Sequence, residues 1–170
     1  MSAGATPAID IVRRAGVVHT IHEYELPERH GRDREARPSY GLEAAAALGV
    51  EPGRMFKTLV ANVDDGLVLV VVPVDRELDL KRLAAAVAGR RAVLADPAAA
   101  ERATGMVVGG ISPIGSRRPL AVVADVSILD HETVFVSAGR RGLQLELVPA
   151  DLVRLSKAQT TRVARDERQG

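Results

Sequence analysis

Two apolar runs, Met55 to Val63 and Leu67 to Pro73, face each other across Asp64-Asp65-Gly66. An acidic pair followed by glycine between two β-rich runs is a hairpin signal, because a tight turn needs residues that tolerate a left-handed backbone. The second run is apolar at every position from Leu67 to Val72, without the alternation of a half-solvated strand. Such a strand must be covered on both faces, so it belongs in the middle of a sheet with packed layers on either side.

Helix signals surround this hairpin. Thr6 followed by Pro7 reads as an N-cap and first-turn proline, opening a helix that Gly16 ends. Ser39 caps a second helix running to Leu48 and stopped by Gly49, and EPGR after it is a turn. Asp79 to Ala88 and Pro97 to Thr104, the latter capped by Asp96, predict two more, and a last helix begins near Pro149 and ends about Leu155. Strands are predicted at Val17 to Tyr24, with Val18, Thr20, His22 and Tyr24 on one face, and at Met106 to Ile111, Leu120 to Ala124, Thr133 to Val136 and Leu143 to Val148. The charged stretch from Glu25 to Pro38 reads as a mobile surface loop. Hairpins together with helical crossovers predict one α/β domain over residues 1–170, with a mixed, strongly twisted, barrel-like sheet flanked by helices.

Composition narrows the function. The 170 residues carry a net charge of +1, so any grip on a polyanion has to come from a local patch. The aromatics are Tyr24, Tyr40, Phe56 and Phe135, too few for base stacking to be a main mode of RNA binding. There is no cysteine, which excludes disulfides, thiolate metal sites and a protein thiol nucleophile. His19 and His22 fall on opposite faces of a strand, and neither a metal site, nor a cofactor motif, nor a Ser/His/Asp set can be assigned by spacing. The start, MSAGATPAID, has no basic region leading into an apolar one, and the longest apolar run is too short to span a bilayer; a cytoplasmic protein with no membrane partner is expected.

Lys57 is the candidate for chemistry. It shares a strand face with Met55, Leu59, Ala61 and Val63, while Phe56, Thr58, Val60 and Asn62 form the other. An ammonium on an apolar face either snorkels to the surface near a strand end or sits in a solvated, ligand-binding pocket. Two glycine-framed segments, GGISPIG (Gly109 to Gly115) and SAGRRG (Ser137 to Gly142), read either as plain turns or as loops offering backbone N–H groups to an oxyanion or phosphate. In the second, Ser137, Ala138 and Gly139 would present the amides, and Arg140 and Arg141 the cationic donors.

These segments carry a resemblance. TPAIDIV, HEYE, FKTL, LDLKRLA, ADPAAAERATG, VVGGISPIG, VFVSAGRRGLQLEL and DLVRLS occur in the order found in the YbaK family of bacterial Cys-tRNA(Pro) deacylases. That family is related to the editing domain inserted in many prolyl-tRNA synthetases, and Gly109-x-x-x-Pro113 matches the Gly-x-x-x-Pro element of those domains. The resemblance implies the editing-domain fold, Lys57 as the central catalytic residue, and a substrate-binding set of Tyr24, Thr58, Gly109, Gly110, Ser112, Pro113, Ser137, Gly139, Arg141 and Gln144. Its implied partners are Cys-tRNA(Pro) and prolyl-tRNA synthetase, with no cofactor. The chain departs from the best-known members at Gln144, where they carry an aspartate, and at Met106, where they carry a tyrosine.

The resemblance also implies a mechanism. The cysteinyl thiol attacks its own ester carbonyl and expels the tRNA 3′ end, while the protein folds the aminoacyl group and stabilises the oxyanion. Removal of another misacylated residue such as alanine, or simple binding of tRNA ends or of the synthetase, remain alternative readings.

Overall fold

A computed structural model describes residues 4–26 and 39–166. The first helix, α1 (Pro7–Ala15), starts where Thr6 Oγ1 accepts from the Ile9 N–H and stops where Gly16 turns left-handed at φ 67°. Its Ala8, Ile9 and Val12 lie on one buried face. Strand β1 (His19–Glu23) follows, and then α2 (Tyr40–Leu48), capped by Ser39 and ended by Gly49 as the sequence predicts. Most of the expected charged loop, residues 27–38, lies outside the described residues.

The hairpin forms as expected. β2 (Phe56–Val63) and β3 (Gly66–Pro73) pair antiparallel through Val63 opposite Gly66, and Asp64 takes the left-handed turn position at φ 54°. The Asp64 carboxylate also accepts from the N–H groups of Arg90 and Arg91, which holds the chain ahead of β4 (Ala92–Leu94) against the turn. With β5 (Ala121–Asp125) and β8 (Gln159–Thr161) they make a five-stranded sheet in the order β4-β2-β3-β5-β8. The pairs on the hairpin side are antiparallel and those of β3 with β5 and β5 with β8 parallel, so the sheet is mixed.

β3 is the middle strand, and its full apolarity has the predicted cause. Val68, Val70 and Val72 pack with Leu83 and Ala84 of α3 (Leu80–Ala86), whereas Leu69 and Val71 face the main core with α1 and α4 (Pro97–Thr104). Burying each such side chain stabilises by about 1.5–3 kcal/mol, so a polar residue at Val70 would break the centre of the fold.

The remaining strands form a separate antiparallel sheet, β1-β7-β6, from β6 (Val134–Ser137) and β7 (Leu143–Leu147), followed by α5 (Pro149–Ser156). The expected single twisted sheet is thus divided into two, joined by a bridge between Met55 and Phe135 and not closed into a barrel. The leucines of β7 point into the main core, and the opposite face of this small sheet carries Phe135, Ser137, Gln144, Glu146 and His22.

One expected strand is absent among the described residues. Met106 to Ile111 is a loop, because Gly105 and Gly109 take left-handed backbones, Thr104 Oγ1 caps the Met106 N–H, and the Gly110 N–H turns back to the Val107 carbonyl. Apolarity at Met106, Val107 and Val108 imitates a strand. The strands β4 and β8, three residues each, are too short to show a period in the sequence.

Candidate active site

A cavity of about 300 Å³ opens where the two sheets meet. Its walls come from the start of α2 (Tyr40, Gly41), from β2 (Lys57 to Val60), from the turn into α4 (Ala95, Pro97), from Val108 and Gly109, and from Ser137 and Gln144 of the small sheet. Of the residues expected at the site, Lys57, Thr58, Gly109, Ser137 and Gln144 line it. Ser137 and Gln144 are cross-strand partners and therefore share a face.

Lys57 is half-buried, on the face of β2 that continues into Leu59, Ala61 and Val63. The other face is buried too, through Phe56 and Val60, so Lys57 interrupts a strand covered on both sides. Burial lowers its pKa below the ordinary lysine value, opposed by the carboxylates of Glu77 and Asp75. Among the described residues its ammonium has no ion-pair or hydrogen-bond partner within contact distance, only this longer-range field. A desolvated cation beside an apolar cavity has unspent donors, which is what an ester carbonyl or developing oxyanion requires.

The glycine loops play a different part from the one expected. Ser137 Oγ donates to the Gly110 carbonyl at 2.8 Å and accepts from the Gly139 N–H at 3.1 Å, which ties the loops together. The Ala138 N–H goes to Leu143 O and the Gly110 N–H to Val107 O, so the amides of Gly110, Ala138 and Gly139 are spent inside the protein. The backbone cradle expected at these positions is therefore replaced by a rigid wall, and among the described residues Lys57 is the cation that lines the cavity. Ser112 is fully buried with Oγ accepting from the Ile114 N–H, and Pro113 beside it is buried as well. Gly110, Ser112, Pro113 and Gly139 form the structure behind the wall and not its lining.

Arg141 is likewise committed. Its Nε and Nη2 donate to the Val108 carbonyl at 2.8 and 2.6 Å, and its guanidinium lies 4.4 Å from the centre of the Tyr40 ring. It clamps the start of α2 to the first glycine loop. Tyr40, which sequence reasoning missed, packs so closely on Gly109 that a Cβ there would come within 2.7 Å of its ring. Its signal was available: a tyrosine just inside a serine-capped helix in a chain with two tyrosines.

Tyr24 lies beside the cavity, its hydroxyl 3.5 Å from Gln144 Nε2. His22 on the same face is held by Glu146, at 2.9 Å. The Thr133 hydroxyl donates to Glu146 and lowers its pKa, against the opposing effect of burial and with further help from His22 and Arg54. Met106 receives the Ser112 N–H on its Sδ at 3.3 Å and so supports the buried turn.

The model of the aminoacyl-tRNA editing domain matches residues 38–155, which include Lys57, both glycine loops and Gln144. The chain belongs to the aminoacyl-tRNA editing domain family. Among its relatives, the Enterococcus faecalis protein named "Putative Cys-tRNA(Pro)/Cys-tRNA(Cys) deacylase EbsC" is 30% identical over 157 residues, covering 91% of this chain and 96% of that one. The Multifunctional Ser/Thr-tRNA deacylase ProXp-y of Escherichia coli K12 is 32% identical over 114 residues, 64% of this chain and 68% of that one. A solved structure described as "a putative trans-editing enzyme for prolyl tRNA synthetase" superposes with a TM-score of 0.75 at 25% identity, covering 96% of this chain and 100% of that one. No helix among the described residues of this editing domain is long and apolar enough to cross a membrane.

Proposed function

We propose that this editing domain is a trans-acting deacylase that clears mischarged Cys-tRNA(Pro), with prolyl-tRNA synthetase as the partner that supplies tRNA selection. The observation that carries this reading is the half-buried, unpaired ammonium of Lys57 at a small cavity whose other lining is mainly apolar. A cavity of about 300 Å³ accommodates a small aminoacyl group with part of its ribose, and excludes a folded peptide or RNA. The relative named for Cys-tRNA substrates spans nearly the whole chain, which supports cysteine as the residue removed.

In the proposed reaction Lys57 donates to the ester carbonyl oxygen and stabilises the charge that grows on it. The substrate sulfur forms a bond to the carbonyl carbon, the carbon–oxygen bond to the ribose breaks, and the departing oxygen takes the proton given up by the thiol. The product is a four-membered thiolactone, which water opens to free cysteine. The cavity's contribution is to hold thiol and carbonyl in the attacking geometry. A synthetase pocket rejects a residue that differs from proline by a small apolar group by only about 1–3 kcal/mol, which gives such a second sieve its purpose.

The E. coli relative named for Ser/Thr-tRNA supports a second reading, in which a hydroxyl-bearing residue is removed by attack of water. The deciding experiment charges tRNA(Pro) with cysteine, serine, threonine or alanine and follows loss of charging with and without the protein. Cysteine is expected to be lost fastest; loss at the spontaneous rate for every residue would end the deacylase reading.

A further inference from the structure

Two polar atoms at the cavity have no hydrogen-bond partner among the described residues, Thr58 Oγ1 and Gln144 Oε1. Both residues line the cavity, Thr58 from β2 and Gln144 from β7, and Gln144 is only 6% exposed. A buried acceptor without a donor is costly, and such groups in folded proteins are nearly always satisfied, by protein, water or ligand. The atoms around them do not serve. Gln144 spends its Nε2 toward Tyr24, the Ser137 hydroxyl is committed to both glycine loops, and Lys57 is not within reach of either acceptor.

We propose that Gln144 Oε1 and Thr58 Oγ1 form the subsite for the α-ammonium group of the aminoacyl ester. The inference rests on reading the cavity as the aminoacyl site. An aminoacyl ester carries a carbonyl acceptor and an ammonium donor on adjacent carbons. The cavity offers the complement, one cationic donor at Lys57 and two buried acceptors. An amide oxygen and a hydroxyl satisfy an ammonium through charge-assisted hydrogen bonds without placing a carboxylate where it would pair with Lys57 instead. The consequence is selection for a free amino group: an N-acylated ester, as in peptidyl-tRNA, leaves both acceptors short of donors and adds bulk beside them.

The test uses the intact protein and probes that cannot be hydrolysed and carry no thiol. These are 3′-amino-3′-deoxyadenosine bearing alanine, N-acetylalanine or propionate in amide linkage, with affinities measured by calorimetry. The wild type should bind the alanyl probe roughly 10- to 100-fold more tightly than the propionyl or acetylated ones. Gln144→Met and Thr58→Val should each collapse that ratio by weakening only the alanyl probe, and Thr58→Ser, which keeps the hydroxyl and adds no charge, should retain it. Equal wild-type affinity for alanyl and propionyl probes overturns the subsite, as does a Gln144→Met variant that weakens all three equally or a wild type that binds none. Loss of tRNA charging without amino-group discrimination sinks this inference alone. Discrimination without loss of charging sinks the deacylase reading alone.

Discussion

The hydroxyl of Ser137 donates to the carbonyl oxygen of Gly110 at 2.8 Å, so two loops separated by an entire strand and 3₁₀ turn move as one wall of the cavity. The same oxygen accepts from the Gly139 N–H, and removing it leaves a buried carbonyl and a part-buried amide unpaired. Ser137→Ala is expected to cost about 1–3 kcal/mol, read as a lower urea midpoint with unchanged slope. Activity should fall in parallel with rigidity. A variant that keeps full stability yet loses all turnover would instead make Ser137 a group that touches substrate.

Behind that wall stands the first turn of α1. Thr6 Oγ1 donates to the Ala138 carbonyl at 2.5 Å, a Cβ on Gly139 would come within 3.2 Å of Thr6, and one on Gly115 within 2.7 Å of the Ala8 nitrogen. Gly115 and Gly139 also hold φ values of 85° and 110°, and a Cβ on Gly110 would meet the Arg141 nitrogen at 2.6 Å. With the helix in place, alanine at any of them is expected to lower stability by more than about 1 kcal/mol, and thermal melts of the three variants will show whether Gly115 stands apart.

Lys57→Met should leave the protein folded, and no less stable, because a half-buried ammonium without a close partner is replaced by a side chain that suits the strand. Deacylation should fall by on the order of 100-fold or more. Lys57→Arg should restore little, since a planar guanidinium does not fit the place of a compact ammonium. The pH dependence has a defined sign. The folded-state pKa is lowered from 10.5, so the unfolded chain holds the proton more tightly between the two values. Wild-type stability relative to Lys57→Met is lowest below the folded value and rises across that window. Parallel urea titrations from neutral pH upward that show a constant gap would contradict the burial of this charge.

The central hairpin, the helix caps at Thr6, Ser39 and Asp96, and the buried middle strand were legible because each rests on local chemistry or on an unbroken apolar pattern. Lys57 was legible for the same reason, as the one charge in an apolar run. The division into two sheets was not, because it depends on β7 pairing with β1 across more than a hundred residues of chain. Nor was the fate of the loop amides, since whether an N–H faces a ligand or a neighbouring carbonyl is decided by tertiary contacts. Arg141 shows the limit most clearly: it reads as a free cation in SAGRRG and is in fact spent on Val108 and Tyr40.

Asp125 gives a prediction away from the site. Its carboxylate is 1% exposed; Oδ1 accepts from the N–H groups of Val163 and Ala164, and Oδ2 from the Ser127 N–H and hydroxyl. Burial pushes its pKa up, but these hydrogen bonds together outweigh it and leave it below 3.8. The carboxylate therefore contributes stability at pH above the unfolded value, and that contribution is lost as pH falls through the folded one. Asp125→Asn is expected to cost about 2–3 kcal/mol near neutrality, with faster amide exchange at Val163 and Ala164. The cost should shrink in acid, and an undiminished penalty there would mean that charge is not what holds the C-terminal segment.

The last prediction concerns the nucleophile. Gln144 Nε2 lies against the Tyr24 hydroxyl beside the cavity and His22 is bound to Glu146, and among the described residues no carboxylate or imidazole lines the cavity to serve as a base for water. If the substrate thiol attacks, replacing its sulfur with oxygen removes a group of pKa near ~8.5 in favour of a hydroxyl that stays protonated, while changing size little. Ser-tRNA(Pro) should then be cleared far more slowly than Cys-tRNA(Pro), and S-methyl-cysteinyl-tRNA(Pro) should resist cleavage while still competing for the cavity. Rapid quenching should capture a thiolactone before free cysteine accumulates. Similar rates on all three esters would show that water is activated by the protein, and substitutions of His22, Tyr24 and Gln144 would then identify the group responsible.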